Sequence, residues 1–395
     1  MSLQTNASVA LSADTPQAVD FALKRQIIRS CYLTLVQLGD LSRYRETELQ
    51  AKERKWGPAK GYYDLAIALD PTSGMSYNQL AVIALTDQDH LRAVYYLYRA
   101  ICVENPAPQA RGNLELEFKK LRTRALQGKP ISSGDAAVEG KQELQNRFVV
   151  FHARCAESGF AGYEDQQIEI LHLLADELRE RPFDTVIRKF CLINIAAEES
   201  AASKVRDDQS AFRSFEISQH FNVGTFFLLL KLLLDELQQH AGDTNESVTG
   251  SVGDTTTQIT PVTRRILPHL RVYSGWLLST VQLLLANNSL AVQMGELWQA
   301  YAEALSLLRN SFPIRDFREI PYLLDEDQDT VAFTPYSDFV KEKRFRNAQG
   351  QIKPPFSETS FDTRSLDDEM RYRIKCMVKD GVYLCRKQAS SCPCI

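Results

Sequence analysis

An all-α protein is predicted by three observations. Almost every ordered segment carries apolar residues at i, i+3 and i+4, the spacing that gathers them on one helix face. No run of alternating polar and apolar residues marks a strand. Two segments repeat one another in the tetratricopeptide register, and each ends in a proline that a helix cannot run through.

The expected helices follow in chain order. One near 18–47 supplies Leu35, Leu38 and Gly39; one near 57–70 supplies Ala59, Tyr63 and Ala66; Pro71 closes this first copy, whose turn is longer than the pattern requires. Helices near 74–86 and 90–104 form the second copy through Tyr77, Leu80, Ala81, Ala93, Leu97 and Ala100, closed by Pro106. The small residues mark places where two antiparallel helices approach closely. A further helix near 108–127 leads to the polar stretch "QGKPISSGDAAVEGKQ" at 127–142. Helices near 141–158, 164–181, 184–204, 209–240, 261–287 and 290–311 complete the pattern, interrupted by "AEESAASKVRDDQ" at 197–209 and "AGDTNESVTGSVGDTTTQITP" at 241–261. The last of these stretches cannot bury enough apolar surface to offset its ordering entropy, and a flexible loop is expected there.

The domain organisation expected from this pattern is a disordered N-terminus at 1–17, a repeat domain at 18–127, a linker at 128–140, a second helical domain at 141–345 and an irregular segment and tail at 346–395. The tail from 380 shows no helical periodicity and is expected to be dispensable for folding.

Composition excludes several classes. The chain has 395 residues, with 46 basic against 50 acidic, so no global charge argues for nucleic acid. Eight cysteines lie scattered without zinc or disulfide spacing, which fits a reducing, intracellular location. The N-terminus lacks the charged start and apolar run of a signal peptide. "FNVGTFFLLLKLLLDEL" is interrupted by Lys231 and reads as a buried helix rather than a membrane span, so no membrane partner is expected.

The repeat register also assigns faces. Asn78 follows the packing residue Tyr77, and Arg43 lies one turn beyond Gly39, so both are expected to face one concave groove. An Arg fork beside an amide and the Tyr44 phenol suits a phosphate, because guanidinium gives bidentate charge-assisted bonds. On spacing alone, Arg43 and Arg45 are equally readable as solvated charges, and Asn78 as a cap or brace for a neighbouring helix.

The segments "CYLTLVQLGDLSRYRE", "AKGYYDLAIALDPTSGMSYNQLAVIALTDQDHLRAVYYLYRAICVENPAPQARGNLE" and, more weakly, "LLDEDQDTVAFTPY" resemble the Est/SMG family, which comprises the ever-shorter-telomeres telomerase subunit and adaptors of nonsense-mediated mRNA decay. The strong part covers about 31–118, carried by LGD-x-x-RYR, YY-x-x-A, G-x-x-YNQLA and YY-x-x-RA. The resemblance implies a 14-3-3-like domain built on tetratricopeptide-like helices, followed by α-helical hairpins. It implies a non-enzymatic adaptor of the cytoplasm and nucleus that binds phosphoserine segments of the up-frameshift RNA helicase. Arg43 takes the place of the groove arginine, with Tyr44 and Asn78 beside it. A second 14-3-3-like adaptor is a further implied partner. The alternative is a telomerase-associated subunit that binds RNA or single-stranded DNA through basic segments such as "KEKRFR" at 341–346.

The family's 14-3-3-like domain has helices ahead of the "LGD" helix that contribute another basic phosphate ligand, and this chain is expected to lack them. No nuclease-like cluster of metal-binding carboxylates follows, and endonuclease activity is not carried over. "DEDQD" at 325–329 reads as a solvated turn rather than a metal site, and His152 and His172 as core or surface histidines. No P-loop, dinucleotide turn or G-x-S-x-G occurs, so neither a cofactor nor a metal is expected. Cys392-Pro393-Cys394-Ile395 fits the prenylation pattern in form only, since its middle residues are not aliphatic.

Overall fold

A computed structural model describes residues 19–49, 54–131, 139–157, 162–180, 185–205, 208, 211–246, 259–355 and 364–391. The protein is all-α: among the described residues there is no strand beyond three isolated bridge pairs. The chain divides into two compact units, Met1–Asp70 and Pro71–Ile395. The sequence reading placed its boundary at 128–140 instead. The expected disordered N-terminus at 1–17, the core of the expected linker and most of the expected loop at 241–261 lie outside the described residues.

In the first unit, α1 (Phe21–Glu48) and α2 (Gly57–Leu69) form an antiparallel pair. Asp20 caps α1 by accepting a bond from the Leu23 amide at 2.9 Å, which satisfies one of the free N–H groups of the first turn. Tyr32 and Val36 of α1 meet Ala66 of α2 in a small apolar core. Near the turn, Glu46 accepts from the backbone of Lys55 at 3.0 Å.

The second unit begins with the hairpin of α3 (Met75–Thr86) and α4 (His90–Ile101). Gly74 opens it, and a Cβ there would stand 2.3 Å from the Ala100 carbonyl oxygen, so only glycine allows the approach. Asp89 caps α4 through the Arg92 amide at 3.0 Å. Then follow α5 (Ala110–Leu126), α6 (Glu139–Cys155), α7 (Tyr163–Glu180), α8 (Thr185–Val205), α9 (Phe212–Glu246), α10 (Pro261–Ala286) and α11 (Ala291–Ser311). Helices α5 and α6, on either side of the expected linker, pack against each other, as do α4 and α8.

Helices α9 and α10 form the centre. Over Phe212–Gln239, α9 is long and apolar enough to cross a membrane, but 72% of its most apolar window is buried inside the protein, and it acts as a core helix. Its neighbours carry a connected polar chain. The His152 Nε2 donates to Asn194 Oδ1 (2.8 Å), Asn194 Nδ2 donates to the Tyr273 hydroxyl (3.3 Å), and that hydroxyl donates to Asn222 Oδ1 (3.1 Å). Asn222 Nδ2 and Trp276 Nε1 both donate to Glu198 Oε2, at 2.6 and 3.0 Å. Every member has a partner, which is what burial of polar groups requires. His152 is thus a core residue, and His172 is exposed.

Beyond α11 the structure corrects two expectations. The "DEDQD" segment is not a solvated turn. It forms α12 (Asp325–Gln328), in which Glu326 and Asp327 are buried. Arg271 of α10 bonds Asp327 at 2.6 and 3.1 Å and Glu326 at 3.0 Å. Burial alone would raise the Glu326 carboxyl, but Arg373 and Arg271 hold it down, at about 2. The segment 346–395 is not irregular throughout either. After α13 (Asp338–Phe345) comes α14 (Leu366–Ser391), whose Arg373 grips Glu326 with two bonds of 2.9 Å. Asp380 of α14 accepts from Ser274 (2.8 Å), Lys343 (2.8 Å) and Arg344 (2.7 Å). The helix was hidden in the sequence because its buried positions include the charges Arg373 and Asp380, whose partners lie on other elements.

Candidate functional site

Arg43 and Tyr44 belong to the first unit and Asn78 to the second. Arg43 sits on α1 with 12% of its side chain exposed, and its guanidinium carbon lies 4.4 Å above the Tyr44 ring centroid. Tyr44 itself is half exposed. This stacking uses the ring face and leaves the guanidinium edge for hydrogen bonding.

Two α2-facing groups hold that edge. Arg43 Nε donates to the Tyr63 hydroxyl at 3.4 Å, and Nη2 faces Asp40 Oδ1 at 3.5 Å. Both exceed the ordinary N–H···O length of about 2.9–3.0 Å. The tight bond of the trio is between the other two partners: the Tyr63 hydroxyl donates to Asp40 Oδ1 at 2.7 Å. Burial pushes the Tyr63 phenol up, and Asp40 adds to the shift, so it stays a donor. Asp40 is thus satisfied mainly by Tyr63. The Arg43 guanidinium is oriented by Tyr63, Asp40 and its neighbour Tyr44, none of which holds it in a short ion pair.

Asn78, on α3, is a brace between helices. Its Oδ1 accepts from Asn113 Nδ2 of α5 at 3.0 Å. Its own Nδ2 has no partner among the described residues. The Tyr77 beside it is buried and receives a bond from Arg99 at 3.0 Å, as a packing residue should. Sequence reasoning missed Asp40, Tyr63 as a hydrogen-bonding group, and Asn113. The signal for Asn113 was available, since it lies 35 residues after Asn78, about one tetratricopeptide period of 34.

The basic segment at 341–346 offers less than its sequence suggests. Lys343 and Arg344 are both bound to Asp380, and the Arg344 side chain is only 4% exposed. Among the described residues no group of three or more His, Cys, Asp or Glu side chains could hold a metal ion.

The chain as a whole resembles known proteins. Residues 59–339 match a family described as "Est1 DNA/RNA binding domain". Among curated relatives, the Arabidopsis thaliana "Nonsense-mediated mRNA decay factor SMG7" is 36% identical over 105 residues, 26% of this chain and 10% of that protein. The Schizosaccharomyces pombe "Telomere elongation protein est1" is 35% identical over 89 residues, 22% of this chain and 18% of that protein. The matched segments therefore span less than a fifth of these relatives' lengths. A solved structure titled "Crystal structure of Est1 and Cdc13" shares the fold over 93% of this chain and 70% of that one, with a TM-score of 0.66 at 14% identity. With a match running over more than half of its 395 residues, this chain belongs to the Est1 DNA/RNA-binding-domain family.

Proposed function

We propose that this protein is a non-enzymatic adaptor of nonsense-mediated mRNA decay, acting in cytoplasm and nucleus, that binds phosphoserine segments of the pathway's RNA helicase through Arg43. The observation that carries the reading is the Arg43 guanidinium, stacked on Tyr44 and facing its carboxylate neighbour Asp40 only at 3.5 Å. A phosphate arriving at it would gain short charge-assisted bonds without first breaking a strong ion pair. Tyr44 buttresses the guanidinium. The decay-factor names of several relatives favour this pathway. A second 14-3-3-like adaptor is the proposed protein partner.

The test is calorimetric titration of a phosphoserine peptide and its unphosphorylated twin against the wild type and Arg43→Glu. Selective binding that the charge reversal abolishes supports the reading. Equal affinity for both peptides, or normal binding by Arg43→Glu, rejects it.

A second reading, a telomerase-associated subunit binding RNA or single-stranded DNA, is favoured by the family's description and by the telomere names of two relatives. Affinity that falls steeply and uniformly with salt for any strand would single it out.

A further inference from the structure

A cleft of about 700 Å³ opens within the second unit, between α5 on one side and α8 with the start of α9 on the other. That volume lies within the range of about 300–1,000 Å³ typical of ligand sites. Its floor carries apolar residues. Tyr98 and Phe118 are buried and pack against each other with ring centroids 6.2 Å apart. Ala197 and Ala201, one turn apart on α8, leave room that larger side chains would fill.

The rim is predominantly cationic, with Arg111, Lys119, Arg122 and Lys204 against Glu115 and Asp208. Arg111 and Lys119 of α5 are exposed and have no ion pair among the described residues. Across the mouth, Lys204 of α8 pairs with Glu115 of α5 at 3.5 Å, but both are well exposed, and such a pair is easily opened. Eight helical residues separate Arg111 from Lys119, about 12 Å along the axis. An extended peptide covers that distance in about four residues.

We propose that this cleft binds a short extended peptide from a partner protein, with an aliphatic residue seated over Ala197 and Ala201 and acidic residues on either side, about four apart, on Arg111 and Lys119. A peptide is favoured over a nucleic-acid strand on two grounds. The floor aromatics are buried against each other and present no open face for a base to stack on. The Glu115 and Glu157 carboxylates beside the cations would repel a continuous line of phosphates, and discrete acidic side chains avoid them. The site is independent of Arg43, which lies in the other unit.

The probe is the fluorescein-labelled peptide Gly-Ser-Glu-Ser-Leu-Ser-Glu-Ser-Gly, followed by fluorescence anisotropy with the whole chain. Binding is expected to weaken about tenfold or more when the central Leu is replaced by Ser, and by a similar factor in the double variant Arg111→Glu, Lys119→Glu. Both substituted residues are exposed, so the far-UV circular dichroism of the variant should match wild type. Arg43→Glu should bind the probe normally, which separates this site from the phosphoserine reading. The proposal is overturned if the wild type does not bind, if Leu and Ser peptides bind equally, if the double variant binds normally, or if a ten-nucleotide oligouridine displaces the probe at lower concentration than the unlabelled peptide does.

Discussion

Gly39 of α1 lies directly against the ring of Tyr63 on α2: a Cβ at position 39 would stand 2.4 Å from one ring carbon and under 3 Å from two more. The same ring carries the hydroxyl that accepts from Arg43 and donates to Asp40. A close helix approach in the first unit and its candidate binding group thus share one side chain. Gly39→Leu is expected to overpack and destabilise by about 1–3 kcal/mol, and Ala81→Leu, at a fully buried position of α3, by a similar amount. Unchanged thermal unfolding in both variants would contradict the repeat register.

Removing only the Tyr63 hydroxyl tests how Arg43 is held. In Tyr63→Phe, Asp40 loses its 2.7 Å donor and should turn to the Arg43 guanidinium. Phosphopeptide affinity should then drop without loss of charge. Arg43→Lys should retain part of the affinity, since an ammonium lacks the fork. In the second unit, Asn78→Ala removes the bond from Asn113 and should cost about 0.5–1.5 kcal/mol of stability, the worth of one neutral bond. A Tyr63→Phe protein that binds more tightly than wild type would show that the phenol competes with the phosphate rather than preparing its site.

The C-terminal helix is expected to be indispensable, contrary to the sequence reading. Deleting residues from 380 onward removes Asp380 from Arg344, Lys343 and Ser274, and takes Gly381 from its seat against Leu305. Glu326→Ala leaves Arg271 and Arg373 buried with a charge uncompensated, at an expected cost of about 3–5 kcal/mol. Urea unfolding midpoints of both variants equal to wild type would refute the lock.

A pH dependence follows from the buried polar chain. Burial pushes the Glu198 carboxyl from 4.5 up to about 7, despite the donors from Asn222 and Trp276. Between those pH values the folded chain keeps a proton that the unfolded chain has lost, so stability falls as pH rises through this window. His152 works in the opposite direction. Burial lowers its imidazole from 6.5 to about 4, so the unfolded chain binds the extra proton there, and stability rises with pH. Glu198→Gln isolates the first effect. Relative to wild type, this variant should gain up to about 3 kcal/mol between pH 5 and pH 8. Parallel stability curves for the two proteins would mean that Glu198 is not protonated in the fold.

The two repeat copies were readable from the sequence because their physics is local. Close approach needs Gly39, Ala81 and Ala93, and a helix must stop before Pro71 and Pro106. The first eleven helices followed from apolar spacing for the same reason. Charges misled the reading at two places. Asp327 looks solvated beside its acidic neighbours, and only the tertiary fold brings Arg271 to it. The apolar positions Met370, Ile374, Met377 and Leu384 do recur at helical spacing, but Arg373 and Asp380 interrupt the stripe while being buried themselves. Arg43 was legible as a group, whereas its restraint by Tyr63 and Asp40 was not. That restraint depends on how α1 and α2 cross.

The polar contacts of α10 also set an order of events on the ribosome. Arg271 and Ser274 are translated long before their partners, Asp327 coming 56 residues after Arg271 and Asp380 coming 106 after Ser274. At ordinary elongation rates the second interval lasts on the order of 5–20 s. Through the first interval α10 carries a guanidinium without its carboxylates, and through the rest of the second Ser274 still lacks Asp380, both of which oppose burial of the helix. The nascent second unit is therefore expected to wait, open and chaperone-accessible, until α14 has left the ribosome, so that emergence of this helix sets the moment at which the core closes.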